Sequence, residues 1–249
     1  MNRRLLIELL CPPHCVSCGK LLPPAVGNEP TALCDTCGEA WASERIAECP
    51  TCFQLLSDCR CVPRLMQRAG ISAHVKLVPY GEIGGGRVTR NVIYTIKQRG
   101  AYRAFHFLAR ELKPGLLAAV REAKSESAPT TETVITFLPR TVEAKRTYGY
   151  DQAERLARAL SRATGLRYMS LLARRRAALS QKTLNQRERL KNIKGAFALR
   201  REVAGLRVIV VDDVVTTGAG MAEAAKLLYS AKVADVIAVS VALTKKNKV

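Results

Sequence analysis

The pattern of apolar and polar positions divides the chain beyond residue 65 into strands and helices. The run at 208–211 is apolar on both faces, as in a strand covered from each side. Further strands are predicted at 76–81, 134–139 and 235–244, and another near 169–172. Apolar residues at helical spacing, several closed by glycine, predict helices at 90–100, 102–115, 153–165, 183–193 and 221–231. The polar stretch 121–133 predicts a loop.

Strands that alternate with helices in this way predict an α/β fold, a mostly parallel sheet with helices on both faces. The first part of the chain is different, because it is rich in cysteine and poor in large apolar residues. We therefore expect two domains, a cysteine-rich module over 1–65 and an α/β domain over 66–249.

Eight of the nine cysteines form four close pairs: Cys15/Cys18, Cys34/Cys37, Cys49/Cys52 and Cys59/Cys61. The first two pairs have the C-x2-C-x15-C-x2-C spacing of a zinc ribbon, which predicts two structural zinc sites with four thiolates each. Consecutive pairs could share an ion, or the pairs could interleave in a cross-braced unit. A disulfide framework would require export, and Glu8 interrupts the short apolar run that a signal peptide would need. Cys11 and His14 remain as spare ligands.

The net charge of +19 is concentrated in one segment. Residues 139–207 contain 18 lysines and arginines against 5 acidic residues, which is +13 of the total. Such a field favours polyanionic partners, either nucleic acid or a small phosphorylated ligand, although a solvated basic surface has the same composition. No apolar run approaches the roughly 20 residues of a membrane helix, so we expect no membrane span.

The predicted strand at 208–211 is followed by two acidic residues, a Thr-Thr-Gly turn and the start of a helix. The carboxyl end of a strand is where open α/β sheets bind ligands. A turn at a helix N-terminus binds anions such as phosphate, and ionised carboxylates accept hydrogen bonds from sugar hydroxyls. The motif is therefore suited to a ribose 5-phosphate, held at both ends.

This stretch resembles the phosphoribosyl pyrophosphate (PRPP) loop of type I phosphoribosyltransferases. The resemblance implies a sheet of that family's type, with Asp212 and Asp213 on the ribose hydroxyls. It assigns the 5-phosphate to the loop that follows, namely Thr216, Thr217, Gly218, Ala219 and Gly220. Gly220 stands where the family usually has a threonine, so one hydroxyl contact is missing here.

A wider resemblance covers nearly the whole chain. The paired cysteines, the Ile-Lys-x-Arg-Gly segment at 96–100, the strand ending at Pro139 and the stretch 179–197 are similar to the ComF family of competence-associated proteins. Two departures are visible: Tyr148 begins the segment 148–152 where the family has arginine, and Ala178 replaces a threonine before Gln181. The resemblance implies a cytoplasmic protein that moves incoming single-stranded DNA during natural transformation, with a helicase-like partner.

Four cations are candidates for the pyrophosphate of PRPP, which also needs Mg²⁺: Lys97, Arg140, Lys145 and Arg146. By the resemblance to phosphoribosyltransferases, Lys145 and Arg146 lie in the segment that covers the site, and they are the catalytic candidates. Two functions stay open. The chain binds PRPP and handles single-stranded DNA, with Tyr148 and Tyr150 as stacking platforms, or it is an active phosphoribosyltransferase in nucleotide metabolism. Whether it is an enzyme is therefore undecided at this point.

Overall fold

A computed structural model describes residues 12–23, 32–81, 85–126, 131–175 and 193–244. The N-terminal part contributes the helices α1 (Asp35–Glu44) and α2 (Arg64–Gln67). The remaining helices are α3 (Arg87–Tyr94), which continues as a π-helical turn (Thr95–Arg99), α4 (Tyr102–Glu126), α5 (Val142–Tyr148), α6 (Gln152–Thr164) and α7 (Ala219–Ser230). The strands are β1 (Ala73–Val75), β2 (Val78–Tyr80), β3 (Thr133–Phe137), β4 (Arg167–Tyr168), β5 (Leu172–Arg174), β6 (Phe197–Leu199), β7 (Arg207–Val215) and β8 (Asp235–Thr244).

The main sheet of the described residues has six strands in the order β1-β8-β7-β3-β4, and β2 pairs with β8 farther along that strand. Every pairing in it is parallel. The register places Ile209 between Ile135 and Ile237. The predicted parallel α/β sheet is therefore confirmed, and β7 lies at its centre.

Helices cover both faces of this sheet, which explains why β7 is apolar on both sides. Ile209 and Val211 face the core formed with α3, α4 and α6. Val208 and Val210 face the opposite core, to which α7 contributes. The alternation follows from strand geometry, since successive side chains point to opposite faces.

The N-terminal part packs closely against the α/β domain. The Trp41 indole N–H donates to Glu111 of α4 at 2.9 Å, and its ring meets Phe107 edge-on at 5.4 Å between centroids. The Glu44 carboxylate accepts hydrogen bonds from the amides of Val88 and Thr89 at the start of α3, at 2.9 and 2.7 Å. Such a contact satisfies amides that a helix N-terminus leaves unpaired. The division at residue 65 stays a prediction.

The predicted end of a helix at Lys-Pro-Gly is wrong. Helix α4 continues from Tyr102 through Pro114 to Glu126, where a loop at 121–133 was expected. Leu112, Leu116 and Val120 are buried on both sides of the proline. A proline inside a helix costs about 3 kcal/mol, and burying several leucines and valines exceeds that cost.

The strand expected near 169–172 is displaced. β4 precedes this range in the parallel sheet, whereas β5 pairs antiparallel with β6 in a separate two-stranded sheet. The helix expected at 183–193 lies almost wholly outside the described residues, as do Cys11, Ala178 and Gln181. None of the described helices combines the length and apolar character that crossing a membrane requires.

Candidate functional site

The turn after β7 lies at the edge of a cavity of about 380 Å³. Its wall includes Asp212, the loop from Val214 to Met221, Leu138 at the end of β3, Arg174 of β5, and Ile193. The cavity is thus at the carboxyl end of the central strands, where a ligand site is expected in an open parallel sheet.

The two acidic residues lie on opposite faces of β7. Asp212 faces the cavity, and its Oδ1 accepts a hydrogen bond from the amide of Asp213 at 2.8 Å. Asp213 is buried toward α6 and the π-helical turn, where its Oδ2 accepts a hydrogen bond from Gln152 Nε2 at 2.8 Å. Lys97 Nζ lies 3.7 Å from the same oxygen. A ligand at the end of β7 would therefore contact the two carboxyl groups on opposite faces of the strand.

The carboxyl group of Asp212 is unusually basic. Burial, and then the negative charge of Asp213, raise the pKa of Asp212 well above its usual range, while the charge of Lys97 opposes them. A carboxyl group that keeps its proton can donate a hydrogen bond as well as accept one. Asp212 is therefore suited to a hydroxyl ligand or, once deprotonated, to a cation.

The loop itself has the shape of an anion site. Gly218 has a φ of +75° and is the N-cap of α7, and as a glycine it offers no side chain to the amides of the first turn. The Thr217 hydroxyl accepts a hydrogen bond from the amide of Ala219 at 3.3 Å, whereas Thr216 is exposed. Unpaired amides at a helix N-terminus attract phosphate.

Two close contacts explain the glycines of the loop. A Cβ on Gly218 would lie 2.6 Å from Cγ and Sδ of Met66, a buried residue of α2. A Cβ on Gly220 would lie 2.8 Å from Cδ2 of Leu138. Leu138 therefore occupies the space into which the threonine usual at position 220 would extend.

Three of the four predicted cations lie near the strand ends. Lys97 contacts Asp213, as described above. The Arg140 guanidinium lies over the Tyr148 ring at 4.9 Å, and Lys145 Nζ is 3.3 Å from Oδ2 of the buried Asp151. Arg146 is on the exposed side of the short helix α5.

Sequence reasoning missed two residues of the site. Gln152 had been noted only in a comparison of motifs, and it now positions Asp213. Arg174 had been counted with the basic surface, but it lines the cavity and its guanidinium packs over the Phe197 ring at 5.2 Å. Burial lowers the pKa of Arg174, and the charge of Asp212 opposes that shift. An arginine next to a strand carries no local signal that would have distinguished it from its neighbours.

Several buried polar atoms around the strand ends have no hydrogen-bond partner within the described residues. They are Nη1 of Arg140, Oε1 of Gln152 and Nε of Arg174. Buried polar atoms are nearly always paired in native proteins, so each unpaired one requires an explanation. Each of these three atoms is available to a polar ligand bound near the strand ends.

The cysteines form two clusters, and the pairs that combine are consecutive ones. The first cysteine cluster is Cys15, Cys18, Cys34 and Cys37; the second cysteine cluster is Cys49, Cys52, Cys59 and Cys61. Within each, the sulfur atoms lie within 4.8 Å of one another. Sulfurs at about 2.3 Å from a tetrahedral ion are about 3.8 Å apart, and Cys18 and Cys34 are at 3.7 Å. Both clusters can hold a structural metal ion. His14 is in neither of them.

Within the second cysteine cluster, local hydrogen bonds favour an ionised thiol at Cys49, whereas burial raises the pKa of Cys59 and Cys61. Burial alone would raise the pKa of Cys49, but the backbone amides of Cys52 and Thr51 outweigh it and lower the pKa to about 6. The buried Lys76 Nζ donates to Cys59 Sγ at 3.2 Å and to three backbone carbonyls at 3.1 to 3.3 Å. Lys76 is only 1% exposed. A buried ammonium beside four thiols fits the net negative charge of a divalent ion held by four thiolates.

Comparison with known proteins gives a family match in the larger, C-terminal part of the chain. The family described as "Phosphoribosyl transferase domain" matches residues 83–248. The DNA utilization protein YhgH of Escherichia coli is 43% identical over 81 residues, 32% of this chain and 36% of that protein. Competence protein F of Haemophilus influenzae is 31% identical over 143 residues, 56% of this chain and 62% of that protein. The expected resemblance to competence proteins is thereby confirmed, although each match spans less than two thirds of the relative.

Solved structures with a similar arrangement were also found. An allosteric regulatory enzyme of purine biosynthesis is 21% identical, with a TM-score of 0.35, over 56% of this chain and 25% of that chain. A hypoxanthine phosphoribosyltransferase from Staphylococcus aureus is 14% identical, with a TM-score of 0.31, over 59% of this chain and 67% of that chain.

Proposed function

Because the chain belongs to the phosphoribosyltransferase family, we propose that the cavity at the end of β7 binds PRPP together with Mg²⁺. The observation that carries this proposal is the arrangement of Asp212 and Asp213 on either side of the strand end, beside a helix N-terminus whose N-cap is the glycine Gly218. The carboxylates bind the ribose hydroxyls. The loop 216–220 binds the 5-phosphate through its amides and the hydroxyls of Thr216 and Thr217.

We assign the binding of the pyrophosphate group of PRPP to the cations around the strand ends. Arg140 and Lys97 are proposed to bind it, and Lys145 and Arg146 to stabilise the charge that develops when pyrophosphate leaves. The unpaired Nη1 of Arg140 supports this assignment, and the unpaired Nε of Arg174 adds a donor on the Asp212 side. Mg²⁺, when bound with the ligand, would neutralise part of the phosphate charge.

The biological role we propose is the handling of single-stranded DNA during DNA uptake in the cytoplasm, next to a helicase-like partner. The names of the relatives, DNA utilization protein and Competence protein F, support this role. The net charge of +19 supports a polyanionic partner. PRPP binding would then act as a signal or a structural ligand for that task.

The metal proposed for both cysteine clusters is zinc. Zn²⁺ prefers four tetrahedral thiolates in structural sites, and the geometry of the sulfur atoms meets this preference. Clusters in which all four ligands come from the protein leave no position for a substrate, so the role of these ions is structural.

Calorimetry with PRPP tests the ligand assignment. Asp212→Asn combined with Asp213→Asn should weaken Mg²⁺-dependent PRPP binding by about 2–4 kcal/mol, since two carboxyl groups that contact the ribose and its cation are lost. Glu202→Gln is the matched control, because this exposed carboxylate precedes β7 at the opposite end of the strand. Equal PRPP affinity in the double variant and the control would contradict the assignment.

An active phosphoribosyltransferase is the second candidate, and the cluster of Lys145, Arg140 and Asp151 beyond the end of β3 favours it. This function predicts Mg²⁺-dependent release of pyrophosphate when PRPP is mixed with a nucleobase. Lys145→Met should abolish that release while PRPP still binds. Pyrophosphate release without any affinity for single-stranded DNA would decide for the enzyme.

A further inference from the structure

The turn between α3 and α4 forms a basic and aromatic surface outside the segment with the highest charge. Residues 85–110 contain the six cations Arg87, Arg90, Lys97, Arg99, Arg103 and Arg110, and no acidic residue. This stretch precedes the segment 139–207, in which most of the net charge lies. The charge distribution along the sequence therefore does not point to residues 85–110 as a basic surface. Its position on the molecule comes from the fold.

Exposed tyrosines lie among these cations. Tyr94 is 56% exposed at the end of α3, and Tyr102 is 63% exposed at the start of α4. Within the turn, Gln98 and Arg99 are exposed, while Thr95 and Ile96 are buried. The spacing of four to five residues, which is one turn of a π-helix, puts Tyr94 and Arg99 on the same side of this segment.

Helix α6 extends the surface. The Tyr102 ring lies against the His106 ring with 4.1 Å between centroids. Helix α6 packs against α4, and burial and then the charge of Arg162 in α6 lower the pKa of His106. Arg162 is exposed. Arg155 of α6 donates to the Gly100 carbonyl at 2.7 Å and so fixes the turn to the helix.

The tyrosines expected to stack on nucleic acid are less available. The Tyr150 hydroxyl donates to the Ile96 carbonyl at 2.7 Å, and the Arg155 guanidinium covers its ring at 4.2 Å. The Arg140 guanidinium lies over the Tyr148 ring. Part of the basic segment 139–207 is also engaged. Arg207 is buried beside Asp235, and Arg174 lines the cavity. A test that replaces Arg174, Arg175 and Arg176 together would therefore disturb the PRPP site.

We propose that single-stranded DNA binds the surface formed by Tyr94, Arg99, Tyr102, His106 and Arg162, which we call the tyrosine surface. The inference rests on the proposed function, to which it adds the location of the DNA. Exposed rings stack on bases of any sequence, and neighbouring cations bind the phosphates between them. Duplex DNA keeps its bases stacked inside, so it cannot use the rings.

The tyrosine surface and the PRPP site share the π-helical turn. The Lys97 side chain extends from this turn to Asp213, whereas Gln98 and Arg99 are exposed. Variants of the tyrosine surface can therefore be made without replacing a residue of the PRPP site.

Fluorescence anisotropy with a labelled oligothymidylate of about 20 nucleotides tests the proposal on the full chain. Tyr94→Ala with Tyr102→Ala should weaken binding by about 30-fold or more, because the stacking of two bases is lost. Tyr94→Phe with Tyr102→Phe keeps both rings and should bind within about 2-fold of the unaltered chain. Unchanged PRPP binding in calorimetry verifies that both variants are folded.

The matched control is Arg200→Ala with Arg201→Ala, two exposed cations of the segment 139–207. We expect this control to lose less affinity than the tyrosine-to-alanine variant. If the control loses affinity and the tyrosine variant does not, DNA binds the basic segment instead and the tyrosine surface is excluded. Equal affinity of the unaltered chain for duplex and single strand would also overturn it. An unaltered chain with no affinity for either DNA would refute the proposed DNA-handling function itself.

The salt dependence of DNA binding tests the charge of the tyrosine surface separately. Arg99→Gln with Arg162→Gln should reduce the slope of log affinity against log salt by about 0.7 for each lost phosphate contact. An unchanged slope would show that these arginines lie away from the phosphates and would contradict the proposed location.

Discussion

The two cysteine clusters have the same ligands and differ in their surroundings. Cys15 and Cys37 of the first cysteine cluster are buried in the same core as Trp41, Leu108 and the central strands. The second cysteine cluster has a small core of its own, in which Leu56 is the buried side chain besides Cys49 and Cys59. The difference teaches that identical metal chemistry can stabilise a whole domain in one place and a local loop in another.

The second cysteine cluster is attached to the body mainly by polar contacts. Lys76 at the start of the sheet donates to its sulfur and carbonyl atoms, and the amide of His74 donates to the Arg60 carbonyl at 3.2 Å. A Cβ on Gly115 would lie 3.1 Å from the Ser57 carbonyl, so helix α4 approaches the cluster closely at a glycine. Losing the ion here should disturb these contacts before it disturbs the core.

The largest expected effect concerns the first ligand of each cluster. Cys15→Ser and Cys49→Ser replace equivalent buried cysteines, and each should remove one of the two zinc equivalents that metal analysis should find in the unaltered chain. Cys15→Ser should also lower the main melting temperature by about 6 °C or more, since the loss reaches the central core. Calorimetry should show a smaller decrease in the main melting temperature for Cys49→Ser. Equal shifts in the two variants would remove the distinction between the clusters.

An intermediate effect is expected from Lys76→Met. This change removes the ammonium that lies 3.2 Å from Cys59 Sγ and leaves the ligands in place. Loss of an outer contact to a metal ligand typically costs about 10-fold to 100-fold in metal affinity. In competition with a chelator, one equivalent of zinc should therefore be released more readily than from the unaltered chain. The release of the other equivalent should be unchanged. Lys20→Met, an exposed lysine next to the first cysteine cluster, is the control and should change neither.

The smallest effect concerns the residue that follows the first C-x2-C pair of each cluster. Gly19 has a φ of +77°, and Phe53 occupies the corresponding position with a φ of +58° and a side chain that is 75% exposed. A left-handed conformation costs a residue with a side chain about 1–2 kcal/mol. Phe53→Gly should therefore stabilise the second cysteine cluster by about 0.5–1 kcal/mol, part of the gain being offset by the flexibility of glycine.

Hydrogen exchange of the amides at 49–61 measures this local stability. Gly19→Ala is the reciprocal change and should destabilise the first cysteine cluster by about 1 kcal/mol. A loss of protection in Phe53→Gly would contradict the expectation, because it would mean that the exposed ring contributes more to the folded state than its backbone conformation costs.

Local patterns predicted much of this fold. The central strands and the helices at 153–165 and 221–231 were recognised from their periodicity within a few residues. The prediction failed at Pro114, where burial of Leu112 and Leu116 outweighed a helix-breaking signal. It also missed β1, whose three residues are too few to show a period.

The candidate site was only partly predictable. The acidic pair and the Thr-Thr-Gly turn identified the loop, since their order along the chain carries its own chemistry. Gln152 and Arg174 have no such local signature. Their contributions depend on α6 packing against β7 and on β5 lining the cavity beyond the end of β7, which neither sequence segment reveals by itself.

The sequence by itself determined the four cysteine pairs, the apolar strands of the sheet and the Thr-Thr-Gly turn after β7, because each depends on the spacing of neighbouring residues. The tertiary structure decided which cysteine pairs combine, that Asp213 meets Gln152 while Asp212 faces Arg174, and that Met66 packs beneath Gly218. These contacts join residues far apart in the chain. They depend on strand order and on the packing of both cores, which no local pattern contains.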